Sequence, residues 1–281
     1  MHRPPRRPRP RAPKASRRPP KGRRFPPPTT ASPAEPGARP GARHGLARAL
    51  SKRGICSRTE AERRIRAGRV TVDGRVMRDP EHPVDAAAAR IEVDGVDATA
   101  PAPLYLVLNK PRGLVTTASD ERGRDTVYRC FDGAGLGWIA PVGRLDQASE
   151  GLLLFTNDPA WAATITDPGT GPEKTYHVQI DGCPAPAQLE AMVRGVRCDR
   201  EHLSLGSVRI LREGGRNAWL EVVLHEGHIR RLMAAFGFDV LRLVRVAIGP
   251  VALGELAKGA WRPLDAAELA ALLPPSTPAA A

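Results

Sequence analysis

Arg144, Leu145 and Asp146 stand at the head of "GRLDQASEGLLLFTND", residues 143–158. The second half of that stretch is an apolar run with a polar end, the pattern of a buried strand. A guanidinium and a carboxylate directly before a core strand are costly unless they are used. An ionised aspartate can act as a nucleophile or as a base, and Arg144 could pair with a phosphate or with a carboxylate. A loop between two core strands is where a rigid sheet can hold such a group in a cleft. Gly143 and Gly151 let the backbone turn tightly on either side. Spacing alone also accommodates a turn aspartate that merely pairs with Arg144.

Other chemistries find little support. The four cysteines (Cys56, Cys130, Cys183, Cys198) are scattered without a C-x-x-C, which argues against a zinc site and a disulfide framework and for a reducing compartment. "GAGLG" at 133–137 lacks the spacing and context of a dinucleotide fingerprint, and "HEGH" at 225–228 has its histidines three apart rather than four. No metal and no cofactor is therefore expected. Glu150 or Asp158 could serve as a second carboxylate in a glycosidase-like hydrolase, but nothing in the sequence places either at the needed distance.

"LYLVLNKP" is a strand ended by Pro111. A short apolar stretch in "GWIAPVGRLD" leads to Asp146, and "GLLLFT" leaves it as a strand. "KTYHVQID", "NAWLEVVLHEG" and "VLRLVRVAIGP" are further strands, while "PAQLEAMVRG" and "HIRRLMAAFGF" are helices. This mix implies an α+β domain over 103–270 with a mostly antiparallel sheet. Residues 44–98 form a smaller α/β unit, separated by the linker "DATAPAP". "GLARALSKRG" is a short helix closed by Gly54. "SRTEAERRIRAG" opens with a capping box, Ser57 with Glu60, and Gly68 stops it. "RVTVDGRVM" and "RIEVDGV" turn at Asp73-Gly74 and Asp94-Gly95, the two-residue hairpin signal.

Charge is concentrated at the N-terminus. Residues 1–43 hold 13 Lys/Arg and one acid, so net +12 of the chain's +13 lies there. The same stretch contains 13 of the 29 prolines, so a disordered basic tail is expected, able to bind polyanions non-specifically. A short disordered C-terminus, 271–281, is expected as well. Residues 44–78 carry ten Lys/Arg against three acids, focusing positive potential on one helical hairpin. No apolar stretch reaches the length of a membrane span, and the basic N-terminus lacks a signal peptide's apolar core. A cytoplasmic monomer with no membrane partner is the expectation.

"LARALSKRGICSRTEAERRIRAGRVTVDGRV" closely resembles the small RNA-binding domain named after ribosomal protein S-four. That resemblance implies RNA contact through Ser57, Arg58, Arg66 and Arg69. "LNKPRGLVTT", "PVGRLDQASEGLLLFTND", "EKTYHVQIDG" and "VLRLVRVAIGPVALGELAKGAWRPL" follow in one order. Together they resemble the pseudouridine synthases of the ribosomal small-subunit type and their large-subunit relatives, over about residues 44–264. The resemblance implies an isomerase that converts a uridine of ribosomal RNA, free or in a pre-ribosomal particle, to pseudouridine. "SEGLLLFTND" and "YHVQIDG" look more like the large-subunit members. By residue, Asp146 matches the catalytic aspartate, Tyr176 the tyrosine that stacks on the target base, and Arg230 the arginine that pairs with the aspartate. Arg144 and Lys174 match motif positions near the site. The run "EGHIRR" is shorter than the family's "EGKxRQIRR" and lacks its glutamine, so Arg231 is an alternative to Arg230. A non-catalytic RNA-binding or ribosome-assembly factor is the rival reading; the tail and the small domain alone would suit it.

Overall fold

The computed structural model describes residues 43–85, 88–118, 120–198, 200–225 and 227–272. The expected disordered segments therefore lie outside the described residues, except at their inner ends. Arg43 belongs to strand β1 (Arg43–Gly45) rather than to the tail, and helix α6 (Ala266–Leu272) carries the fold two residues into the segment assigned to the C-terminus.

The small unit continues with α1 (Leu46–Lys52), α2 (Arg58–Arg66), β2 (Val70–Val72), β3 (Arg75–Met77), β4 (Pro83–Asp85), β5 (Ile91–Val93) and β6 (Val96–Asp97). Gly54 and Gly68 follow their helices with φ of 70° and 74°, where a side chain would be strained. Ser57 caps α2, accepting from the Glu60 amide at 3.1 Å. The reciprocal half of the expected capping box is missing, because Glu60 instead binds Arg63 and Arg64. Both Asp-Gly pairs turn with positive φ, at 49° and 78° and at 54° and 77°, the geometry of a two-residue hairpin. Leu46, Leu50, Ala61, Ile65, Val70 and Ile91 close a separate core.

The large unit begins with β7 (Tyr105–Lys110), a 3₁₀ turn at Val127–Phe131, β8 (Ala140–Val142), β9 (Glu150–Thr156), α3 (Pro159–Thr166) and β10 (Lys174–Asp181). It continues through α4 (Pro186–Arg194), β11 (Val196–Cys198), β12 (Glu201–Leu203), β13 (Ser207–Glu213), β14 (Asn217–Leu224) and α5 (Ile229–Ala235). β15 (Val240–Ile248), β16 (Val251–Ala252) and β17 (Trp261–Pro263) precede α6. Among the described residues the main sheet runs β13-β14-β10-β15-β9-β7-β17, with β16 on β15 and β8 on β9. Every pairing in it is antiparallel except β15 with β9. That parallel contact joins Arg245 to Gly151, at the end of the loop that carries Asp146.

Every residue of β9 is buried. Leu152 and Leu154 pack with Trp161 of α3 on one side, and Leu153 and Phe155 pack with Val127 and Phe131 on the other. A strand covered on both faces reads as a continuous apolar run rather than an alternation. In β10, by contrast, Tyr176, Val178 and Ile180 face a core shared with α4 and α5, while His177 and Gln179 are half-buried.

The two units meet where the first helix of the small one ends. A Cβ on Gly54 would lie 2.3 Å from the Asn157 carbonyl oxygen. Asn157 also holds the linker, donating to Ala102 O at 2.9 Å and accepting from Leu104 N at 2.8 Å. Gly54→Ala should therefore loosen this contact as well as strain a left-handed residue, at about 1–2 kcal/mol for the backbone alone. Thermal unfolding should then show two separated transitions; a single transition at the wild-type temperature would count against the contact.

Candidate active site

Alternation answers why Arg-Leu-Asp precedes the strand. Leu145 is buried in the main core, while Arg144 and Asp146 on either side of it are exposed. The central leucine is a peg that points both charged neighbours outward. The loop around it is laced to the turn after β7. Thr116 Oγ1 donates to Leu145 O at 2.6 Å, Gly113 N to Gln147 O at 2.8 Å, and Gln147 Nε2 to Gly113 O at 2.9 Å. Within the loop, Ser149 N donates to Asp146 O at 3.0 Å.

The strongest tie is Lys110, the last residue of β7, which is fully buried. Its Nζ donates to Pro111 O at 3.2 Å, Asp146 O at 3.1 Å and Ser149 O at 2.8 Å. Burial lowers its pKa to about 8, and the charge of Asp146 opposes that shift. Lys110 is thus a cation beneath the aspartate, at a position whose sequence pattern shows only the end of a strand. The available signal was "NKP": a lysine closing an apolar strand before proline has no ordinary solvent-facing reason to be there.

Glu150 makes the second tie. Its side chain is 3% exposed, between Arg242 of β15 and Lys258, which lies 2.6 Å away. The Arg242 guanidinium holds its pKa down to about 2, against burial, with Lys258 assisting. A depressed carboxylate stabilises the fold above its unfolded pKa and loses that contribution as pH falls through the folded value. Glu150→Gln should cost about 2–3 kcal/mol near neutral pH. The difference from wild type should shrink between pH 4.5 and about 2, as read by denaturant unfolding at several pH values. A constant difference across that range would argue against the ion pair.

The resemblance-derived residues separate into those the fold brings together and those it does not. Asp146, Arg144 and Tyr176 line one cavity of about 300 Å³, with Ser149, Ile229 and Leu243. Arg144, Lys174 and Tyr176 line an adjoining one. The expected ion pair between Arg230 and Asp146 is not formed. Arg230 donates from Nη1 to Val240 O at 3.0 Å, and its Nη2 is buried without a partner. Nor does Arg231 take the role, since it bonds Glu201 at 2.6 Å. Asp146 is also exposed rather than buried. The start of α5 follows directly on the shortened "EGHIRR" run, and Arg230 there turns toward β15.

The carboxylates of the hydrolase reading are committed elsewhere. Glu150 is locked in its ion pairs, and Asp158 caps α3 through Ala160 N and Trp161 N and accepts from Tyr105 Oη at 3.0 Å. In the small unit, Arg58, Arg66 and Arg69 are exposed at 56%, 65% and 48%. Arg58 pairs with Glu81, Arg66 with Glu62, and Arg69 with Asp94. Such surface pairs are weak and exchange readily for another anion. Ser57 is occupied at its cap.

The comparisons agree with this architecture. A family model for RNA pseudouridylate synthase matches residues 104–235, and an S4 domain model matches residues 45–89. An uncharacterised RNA pseudouridine synthase of Aquifex aeolicus is 37% identical over 227 residues, covering 79% of this chain and 91% of its own. One from Mycobacterium bovis is 38% identical over 234 residues, covering 81% and 92%. A crystal structure of a pseudouridylate synthase superposes with a TM-score of 0.57 at 28% identity, over 82% of this chain and all of the other. The chain belongs to the RNA pseudouridine synthase family, isomerases that act on uridine in RNA, and it carries an S4 domain ahead of the catalytic fold. Among the described residues, no helix is long and apolar enough to cross a membrane.

Proposed function

We propose that this chain isomerises one uridine of ribosomal RNA, in the large subunit, with Asp146 as the catalytic carboxylate. The observation that carries the reading is the shared cavity. Asp146 stands at its edge on a loop fixed by Lys110, with the Tyr176 ring beside it. The reaction breaks the bond between the ribose and N1 of uracil and rejoins the base through C5. The proton on C5 is lost and N1 regains one, so no oxidant, metal or nucleotide is consumed. The base must leave its stack to be reached, and an aromatic ring offers it a replacement face. Tyr176 supplies that ring, and Arg144 and Lys174 attract the RNA backbone. Ser57, Arg58, Arg66 and Arg69 of the S4 domain hold the surrounding RNA. Arg230 reaches the substrate by giving up its bond to Val240 O. We place the protein in the cytoplasm as a monomer acting on ribosomal RNA or a pre-ribosomal particle. Pseudouridine maps of ribosomal RNA from wild-type and deletion strains test the target: one large-subunit position should disappear. Loss of a small-subunit position would move the assignment, and unchanged maps would favour a non-catalytic RNA-binding factor.

The basic N-terminus should add affinity without choosing the site. Residues 1–43 carry net +12, and each phosphate contact to single-stranded RNA contributes a salt slope of about −0.7. Removing them should weaken RNA binding at low salt and flatten its salt dependence, while the modified position and saturated turnover stay the same. Parallel slopes for full-length and shortened protein would show that the segment makes no phosphate contacts.

A further inference from the structure

A second cavity, of about 370 Å³, adjoins the first and shares Arg144, Tyr176 and Gly227 with it. Its charge is unusual. Arg144, Lys174 and Arg245 line it, against one acid, Asp167. That acid is already engaged: its carboxylate accepts from Gly169 N at 2.9 Å and from Thr170 N at 2.8 Å. His225 lines the cavity too, with Nδ1 3.2 Å from Gly171 O and Nε2 3.5 Å from Glu173.

Arg245 is the residue without an ordinary explanation. It is 5% exposed, and its Nε donates to Leu152 O at 2.7 Å. Its Nη2 is buried with no hydrogen-bond partner. An unsatisfied guanidinium nitrogen inside a protein is costly. Here the Nε bond to Leu152 O ties the guanidinium down, on a strand set in register with Gly151, where a Cβ would come 2.3 Å from the Arg245 carbonyl oxygen. The fold thus fixes a guanidinium beside a cavity while leaving one of its donors without an acceptor.

We propose that this cavity is a phosphate subsite, which takes a backbone phosphodiester next to the uridine whose base enters the Asp146 cavity. The proposal rests on the reading of that first cavity as a site for uridine in RNA. A nucleotide carries base and phosphate on one ribose, so adjoining cavities sharing Arg144 and Tyr176 suit its two ends. The planar guanidinium fork matches phosphate oxygens, and Lys174 adds a second charge. Phosphate drawn to the Arg144, Lys174 and Arg245 charges would position the substrate rather than take part in bond exchange.

The test uses full-length protein and two small probes, the dinucleoside monophosphate UpU and its uncharged methylphosphonate analogue, with binding measured by calorimetry. Wild type should bind UpU about tenfold more tightly than the analogue, the difference expected for charge-assisted hydrogen bonds. Because residues 1–43 also attract anions, the variants decide the location. Lys174→Gln and Arg245→Lys should each cut the ratio to about twofold or less, with folding checked by thermal unfolding. If Arg245→Lys does not fold, Lys174→Gln alone carries the comparison. Equal affinity of the two probes for wild type, no measurable UpU binding, or an undiminished ratio in the folded variants would overturn the subsite. A protein that shows the ratio and its loss, yet forms no pseudouridine in RNA, would refute the catalytic reading and leave the subsite standing.

Discussion

Asp146→Asn should abolish pseudouridine formation, by roughly 10³-fold or more, while RNA affinity stays within about twofold of wild type. The substitution removes the negative charge and keeps the shape. Asp146 is exposed and makes its structural contact through its backbone carbonyl, which accepts from Lys110 and Ser149. Neither bond depends on the side chain, so the variant should fold like wild type. Turnover on ribosomal RNA and binding to the same RNA, measured side by side, separate chemistry from recognition. Comparable turnover would remove Asp146 from the mechanism.

Lys110→Met should be nearly as damaging for a different reason. It deletes a buried ammonium and leaves the carbonyls of Pro111 and Ser149 without this donor, while Asp146 O keeps the Ser149 amide. The desolvation cost of the cation is relieved at the same time. Unmet carbonyls cost about 1–3 kcal/mol each, so a net loss of about 2–4 kcal/mol in denaturant unfolding is expected. Turnover should fall further than stability alone accounts for, because the Asp146 loop loses its anchor. The pH dependence follows from the same group. With its pKa lowered to about 8, Lys110 offers three donors below that pH and two above it. Activity should therefore decline on the alkaline side with a midpoint near pH 8. The linkage runs the other way for stability, because the unfolded chain holds this proton more tightly. The contribution of Lys110 should become less unfavourable as pH rises from about 8 toward the ordinary lysine value of 10.5. An alkaline limb unchanged in Lys110→Met would detach the profile from this residue.

The regular elements of the site region were legible because their signals are local. Alternation marked β10, and the unbroken apolar run marked β9, buried on both faces. The Asp-Gly pairs marked both hairpins at positive φ. The expected mostly antiparallel sheet is there too, but the one parallel strand pairing among the described residues, β9 with β15, joins residues 94 positions apart and has no local signature. The same separation hid the electrostatics. The resemblance named arginines on α5 as the partners of Asp146, and the shortened run before that helix leaves both bonded elsewhere. The cation under the loop comes from β7 instead; "NKP" marks it as an unusual strand end, but strand pairing, which sets Lys110 opposite Gly151, places it beneath the loop. Arg245 escaped notice for a related reason: in an apolar strand it reads as one more outward-facing charge, yet it is among the buried ones.

Tritium release from the uracil ring tests the central claim most directly. Joining the ribose to C5 expels the hydrogen that C5 carried, whereas hydrolysis of the glycosidic bond or simple RNA binding does not. With ribosomal RNA labelled with tritium at C5 of uridine, wild-type protein should release label to a plateau of one uridine per RNA, and Asp146→Asn should release none while still binding. Stable binding by the wild type with no release from any ribosomal RNA, or release by the Asp146→Asn variant at the wild-type rate, would contradict the account.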